Sequence, residues 1–285
     1  MPFLREKSGR WSPEKIIAFV GVCLPALWLA YRTGAGDLGA RPVTELIHRT
    51  GDWAVRILLV TLAITPARRL FHLPKLIQAR RTLGVAAAFY IIAHFTLYVI
   101  DQKFDLRTVA SEIVLRFYLT IGFVGLIGLI ALAVTSTDAM IRRLGHNWGR
   151  LHRLAYAIGV IAVVHFALQK KLDIYEPLLM TGFLFWLLAF RAAQRYAREV
   201  TFPWLLALAA FATLFTALYE AVWYGVLTGV DARRILAINL DVSDFSMLRP
   251  AVWVLIVTLT VALAGGMWRW LRPREPARVR LNPAE

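Results

Sequence analysis

Apolar residues along this chain gather in eight blocks, each close to the roughly 20 residues that a helix needs to cross a bilayer core. The blocks cover residues 15–31, 45–65, 82–100, 115–135, 151–169, 175–191, 203–227 and 248–270. Polar and charged residues collect in the short segments between them. The pattern predicts an all-α fold, a polytopic membrane helical bundle of about eight transmembrane helices. The first six spans, in residues 1–200, form one expected unit, and residues 201–285 add a two-span extension with a short basic tail. Residues 1–15 are polar and no small-residue cleavage site follows the first block, so that block is expected to remain as a span.

Charge gives the bundle an expected orientation. The chain carries 33 Lys and Arg against 18 Asp and Glu, a formal excess of +15. With basic residues near a block's edge counted in the adjoining segment, 21 belong to the N-terminal segment, the loops after blocks two, four and six, and the C-terminal segment. Eleven lie in the alternate loops, and Arg56 sits inside block two. Acidic residues partition the other way, 6 against 12. Lys and Arg accumulate on the cytoplasmic side, so both termini are expected there. The basicity is thereby a topology signal, and nucleic acid is not an expected partner, since no soluble basic surface accompanies it.

Composition agrees: 59% of the 285 residues are hydrophobic and the mean hydropathy is +0.59, too apolar for an ordinary soluble domain. A lone cysteine, Cys23, excludes an intrachain disulfide and a cysteine-ligated cluster held by this chain alone. No C-x-x-C-H motif is present for covalent haem attachment.

Three histidines interrupt the apolar blocks: His94 in the third, and His152 and His165 in the fifth. Imidazole in hydrocarbon is costly unless it faces a partner, a cavity or a cofactor. At 1.5 Å per residue, His94 lies about 18 Å from the cytoplasmic end of its block and His165 about 21 Å from the same end. One histidine at matching depth on each of two helices is what a b-type haem with two axial imidazoles requires, with iron as the metal. His152 sits at the cytoplasmic mouth, roughly 140° around an ideal helix from His165. The count therefore favours a single bis-histidine haem. A helix–helix hydrogen bond or a proton path is the alternative for each intramembrane histidine. His48, His72 and His146 read as solvated loop residues.

The residues Gly51-Asp52-Trp53-Ala54, Thr65-Pro66-Ala67-Arg68-Arg69 and Arg80-Arg81-Thr82-Leu83-Gly84, followed by Tyr90, His94 and Tyr98, form one pattern. It continues through Thr135-Ser136-Thr137, Arg143-Leu144-Gly145, Trp148, Leu151-His152-Arg153-Leu154, Tyr156 and His165-Phe166. Over about residues 10–193 this resembles the ferric-reductase-like transmembrane family, and within it the haem-binding subunits of periplasmic methionine sulfoxide reductase systems. The resemblance implies an inner-membrane b-haem protein with flavin mononucleotide as a further cofactor. It also implies electron entry from a cytoplasmic flavin reductase and exit to a periplasmic molybdopterin methionine sulfoxide reductase. His94, His152 and His165 stand at the family's haem-associated histidines. The chain departs from the pattern after about Thr201, where two further spans follow. A metal-chelate reductase is the rival within redox proteins; a transporter or assembly subunit is the rival outside them.

Several polar positions remain. Arg56, about two turns inside block two, is a candidate partner for a haem propionate, with Asp52 or the membrane surface as alternatives. Arg80, Arg81, Arg142, Arg143, Arg150 and Arg153 suit flavin phosphate or haem propionates, because guanidinium binds such oxyanions bidentately. Gly122, Gly125 and Gly128 make a smooth strip for close approach of a helix or a porphyrin. Without a soluble nicotinamide-binding segment, the chain is not expected to take hydride from NAD(P)H unaided. Glu220 and the Trp223-Tyr224 pair mark the outer end of block seven. The following loop carries Asp231, Asp241 and Asp244, and the segment from Arg272 is a tail rich in Arg and Pro.

Overall fold

The computed structural model describes residues 4–5, 9–171, 173–197, 199–241, 243 and 248–271. Asp244 and the tail from Arg272, both noted above, lie outside the described residues. Twelve α-helices occur among the described residues: α1 (Pro13–Gly34), α2 (Pro42–Leu70), α3 (Ala79–Asp101), α4 (Leu106–Leu115), α5 (Phe117–Val134) and α6 (Asp138–Leu144). The chain continues through α7 (His146–Leu151), α8 (Leu154–Lys170), α9 (Tyr175–Tyr196), α10 (Phe202–Thr228), α11 (Ala232–Leu240) and α12 (Pro250–Leu271). Seven of the eight apolar blocks have each become one long helix, the fifth is divided, and the protein is a helical membrane bundle.

Seven helical stretches, with α7 and α8 taken together as one, are long and apolar enough to cross a membrane, and α2 is the long helix left out. Its 29 residues include Arg49, Asp52 and Arg56, which dilute its hydropathy. Burial explains the tolerance. Ala54, Val55, Ile57, Leu58, Leu59 and Leu62 are all below a tenth exposed, packed among α1, α3, α8 and α9. A helix surrounded by protein has little surface to match to lipid. The outer helices do the opposite: Val20, Leu24 and Leu27 of α1, Val124 and Ile127 of α5, and Phe211 and Leu214 of α10 are exposed, as lipid-facing positions should be.

Local chemistry sets the ends of the shorter helices. The Asp105 carboxylate accepts from the backbone N–H groups of Arg107 and Thr108 and starts α4. Asp231 does the same for α11 through Arg233 N–H. Between α6 and α7 the chain turns at Gly145 with φ of 50°, a left-handed value that glycine adopts without a Cβ penalty. The fifth block is not one helix. It breaks where His152 closes α7 and Arg153 opens α8, so the ideal-helix angle between His152 and His165 does not apply.

The C-terminal pair, α10 and α12, packs together and against α9. Gly182 of α9 makes this possible, since a Cβ there would collide with the Thr216 side chain of α10 and come within 2.6 Å of Val254 of α12. At the far end of the same pair, Glu220 is 1% exposed and is held by Arg249 and by Asn239 Nδ2 at 2.9 Å. The Trp223 indole donates to Lys171 O and the Tyr175 hydroxyl to Leu248 O, both at 3.0 Å, so α8, α9, α10 and α12 meet at that end.

Candidate functional site

His94 lies seven residues before the end of α3, and His165 five before the end of α8. The two helices bring the imidazoles to the same end of the bundle, with ring centroids 6.4 Å apart and planes at 86°. Each ring is anchored through Nδ1. His94 Nδ1 lies 2.8 Å from the Ile47 carbonyl of α2, and His165 Nδ1 lies 2.7 Å from the Tyr118 carbonyl of α5. A carbonyl only accepts, so Nδ1 carries the proton in both rings. Each Nε2 therefore keeps its lone pair for a ligand.

The same device seats both rings. Ile47 is four residues before Gly51, and Tyr118 is four before Gly122. In a helix the side chain at i leans over the turn before it, toward the carbonyl at i−4. Glycine leaves that carbonyl open to a second donor. A Cβ on Gly51 would stand 3.0 Å from His94 Nδ1, and one on Gly122 would stand 2.7 Å from His165 Nδ1. The imidazoles occupy the space that those two side chains would fill.

The cleft around the pair draws on α2, α3, α4, α5 and α8. Its walls are largely apolar, with Val55, Ile91, Phe95, Phe123, Leu126 and Ile161 among them. Polar groups gather at its mouth. Gln169 Nε2 lies 3.0 Å from His48 Nε2, and the buried Asp52 borders both the cleft and a polar cavity lined by Glu45, Arg49, Lys170 and Glu176. His48 is thus a helical residue of α2 with a side-chain partner, not a solvated loop residue.

A metal between the two Nε2 atoms, at about 2 Å from each, would separate the ring centres by roughly 6 Å. The observed 6.4 Å fits. Among the described residues no group of three His, Cys, Asp or Glu could share a metal ion. A metal here needs its other ligands from a cofactor, and a planar porphyrin between two axial imidazoles meets that need in an apolar cleft.

The remaining expected site residues lie elsewhere. Arg56 pairs with Glu176 of α9 at 2.6 Å and lies over the Trp53 ring; it is not among the residues that line the cleft. His152 stacks on Trp148 with centroids 4.0 Å apart, its Nε2 3.3 Å from Ser136 Oγ, at the opposite end of α8 from His165. Arg81 pairs with Asp138 of α6 at 2.5 Å, and Arg153 is exposed at the start of α8. His72 follows α2 with φ of 53° and is exposed, while exposed His146 begins α7. The pattern reading missed Ile47 and Tyr118, because they act through backbone carbonyls that carry no side-chain signal. Glycine four residues after each was the available clue.

Comparison with known proteins follows the same lines. A family model described as the ferric reductase like transmembrane component matches residues 50–163, which include Gly51, His94 and Gly122. The fold and the paired histidines thus define a ferric-reductase-like transmembrane protein. The heme-binding subunit MsrQ of the protein-methionine-sulfoxide reductase of Xanthomonas campestris pv. campestris strain 8004 is 47% identical over 175 residues, 61% of this chain and 80% of that protein. The MsrQ of Rhodospirillum rubrum is 42% identical over 197 residues, 68% of this chain and 92% of its own length. At this identity and coverage, the chain belongs to the MsrQ family. No solved structure matches it.

Proposed function

We propose that this protein is a b-haem electron-transfer subunit, with His94 and His165 as the axial ligands of one haem. The observation that carries the reading is the pair of Nδ1-anchored imidazoles, 6.4 Å apart in an apolar cleft. The relatives support it, since their printed name is that of a heme-binding subunit. When bound, the haem supplies one-electron ferric–ferrous chemistry, its potential tuned by axial ligands and burial.

The residues of this chain have separate tasks. The Ile47 and Tyr118 carbonyls fix tautomer and ring orientation and raise the basicity of the ligating nitrogens. Gly51 and Gly122 set how near the rings stand to α2 and α5. Phe95, Phe123, Leu126 and Ile161 keep water from the cleft walls.

The charge partition supports an inner-membrane orientation with both termini in the cytoplasm and the histidine pair toward the periplasm. In that orientation electrons enter from a cytoplasmic flavin reductase, with flavin mononucleotide as a second cofactor near Arg81 and Arg153. They leave to a periplasmic molybdopterin methionine sulfoxide reductase. Reduction of one sulfoxide to the thioether takes two electrons and two protons and releases water, so each turnover at the partner draws two single-electron passages.

Optical spectroscopy of the purified protein tests the reading. A Soret band with low-spin bis-imidazole character is expected, lost in His94→Ala and in His165→Ala. A protein without that band, or variants that retain it, would overturn the assignment. Reporter fusions on the α4 and α6 segments test the orientation, and reoxidation by a methionine sulfoxide reductase, as against a ferric chelate, tests the acceptor.

A further inference from the structure

Three helix C-termini, those of α2, α9 and α12, converge at the end of the bundle opposite the histidine pair. They border an open cavity of about 660 Å³ lined by Arg68, Arg69, His72, Gln194, Glu199 and Arg269, among others. Its walls hold three guanidinium groups against one carboxylate. Close packing builds it: a Cβ on Gly265 of α12 would stand 2.7 Å from the Leu70 side chain, so α12 lies directly on the end of α2. Arg269, one turn beyond Gly265, is thereby brought to the same cavity as Arg68 and Arg69.

The arginines are only partly used by the protein. Arg69 Nη1 donates to Gln194 Oε1 at 3.0 Å. Arg269 donates through Nε to Gly265 O at 3.2 Å and through Nη1 to Val200 O at 3.1 Å. Its Nη2 is buried and has no hydrogen-bond partner. A buried guanidinium N–H without an acceptor is costly, and a water would supply an acceptor without balancing the charge. The ligand that answers both needs is an oxyanion with several acceptor oxygens, for which the guanidinium fork is preorganised.

We propose that this cavity is a phosphate-binding site, built jointly by α2 and α9 of the ferric-reductase-like bundle and by α12 of the C-terminal pair. It takes a phosphate ester, carried either by a flavin mononucleotide or by an anionic phospholipid headgroup. The site gives the C-terminal pair a task that the histidine cleft does not. It stands independently of the haem; only its flavin arm rests on the proposed function, and in that arm the flavin's phosphate is held here in place of Arg81 and Arg153.

The test uses the full-length protein, delipidated in neutral detergent, with R69Q/R269Q as the variant and R269K as the charge-preserving control. Flavin mononucleotide and riboflavin are titrated by flavin fluorescence. Retention of phosphatidylglycerol against phosphatidylcholine is read by native mass spectrometry. If the ester is flavin-borne, R69Q/R269Q weakens flavin mononucleotide binding by about tenfold or more while riboflavin is unaffected. If it is lipid-borne, the variant loses preferential phosphatidylglycerol retention and flavin titrations are unchanged. In either case R269K, which keeps the charge but loses the guanidinium fork, retains part of the binding that R69Q/R269Q loses. Equal behaviour of wild type and R69Q/R269Q toward both probes would overturn the site. Should the double variant not fold, R69Q alone changes an exposed side chain, and its failure to weaken either ligand would overturn the site equally. The Soret band is read in parallel, so that loss of the haem and loss of the phosphate site are separate results.

Discussion

A methyl group on Gly122 would stand 2.7 Å from both Nδ1 and Cε1 of His165, nearer than real Cβ contacts come. Gly122→Ala must therefore push the ring away from the Tyr118 carbonyl that orients it. Loss of such an orienting partner typically costs about 10- to 100-fold in metal affinity. Gly122→Ala is expected to lower haem occupancy in that range, measured by haemochrome per protein. Gly51→Ala, where the nearest approach is 3.0 Å, should be milder. Full occupancy in Gly122→Ala would refute the seating of His165.

The carboxylate of Glu220 is enclosed by Arg249 and Asn239. Arg249→Met leaves that buried charge without its counter-ion, which costs about 3–5 kcal/mol. Glu220→Gln with Arg249→Met together should recover much of the loss. Thermal unfolding of the wild type and the two variants in detergent gives the order; equal stabilities would show that the pair is dispensable.

Packing of the C-terminal pair onto the bundle is focused at Gly182. Gly182→Ala inserts a methyl group against Thr216 and Val254, an overpacking of about 1–3 kcal/mol. Increased protease sensitivity between α9 and α10 is expected, with the Soret band intact because the histidine cleft uses neither α10 nor α12. A variant as resistant as the wild type would show that α9 does not hold the pair there.

Asp105 reports on pH. Its hydrogen bonds from the Thr108 hydroxyl and from the Thr108 and Arg107 backbone hold its carboxyl below the usual carboxylate range. A depressed folded-state value means that the cap stabilises α4 fully above the unfolded value of about 4 and is lost as pH falls through the lower folded value. Amide exchange in α4, corrected for intrinsic rate, should therefore quicken on acidification below about pH 4, and Asp105→Ala should abolish that dependence. Protection of α4 that does not change with pH across this range in the wild type would remove the cap from the account.

Much of this protein is legible along the chain because lipid imposes a one-dimensional rule. A helix exposed to hydrocarbon must be apolar over its length, so seven of the eight apolar blocks each became one long helix. The break before α8 escaped that rule: His152 and Arg153 lie at a helix junction whose position is set by the turn through α7. The polar residues of α2 escaped it too, since a helix buried by its neighbours is judged by its contacts.

The sequence by itself placed His94 and His165 at matching depth and surrounded them with apolar residues, because depth follows from counting along a helix. Only the tertiary structure decided which way the rings turn and what holds them. The Ile47 and Tyr118 carbonyls reach Nδ1 across helix pairs, and Arg56 meets Glu176 at a separation of 120 residues. Such contacts depend on how helices rotate and approach one another, which side-chain packing fixes and no periodicity records.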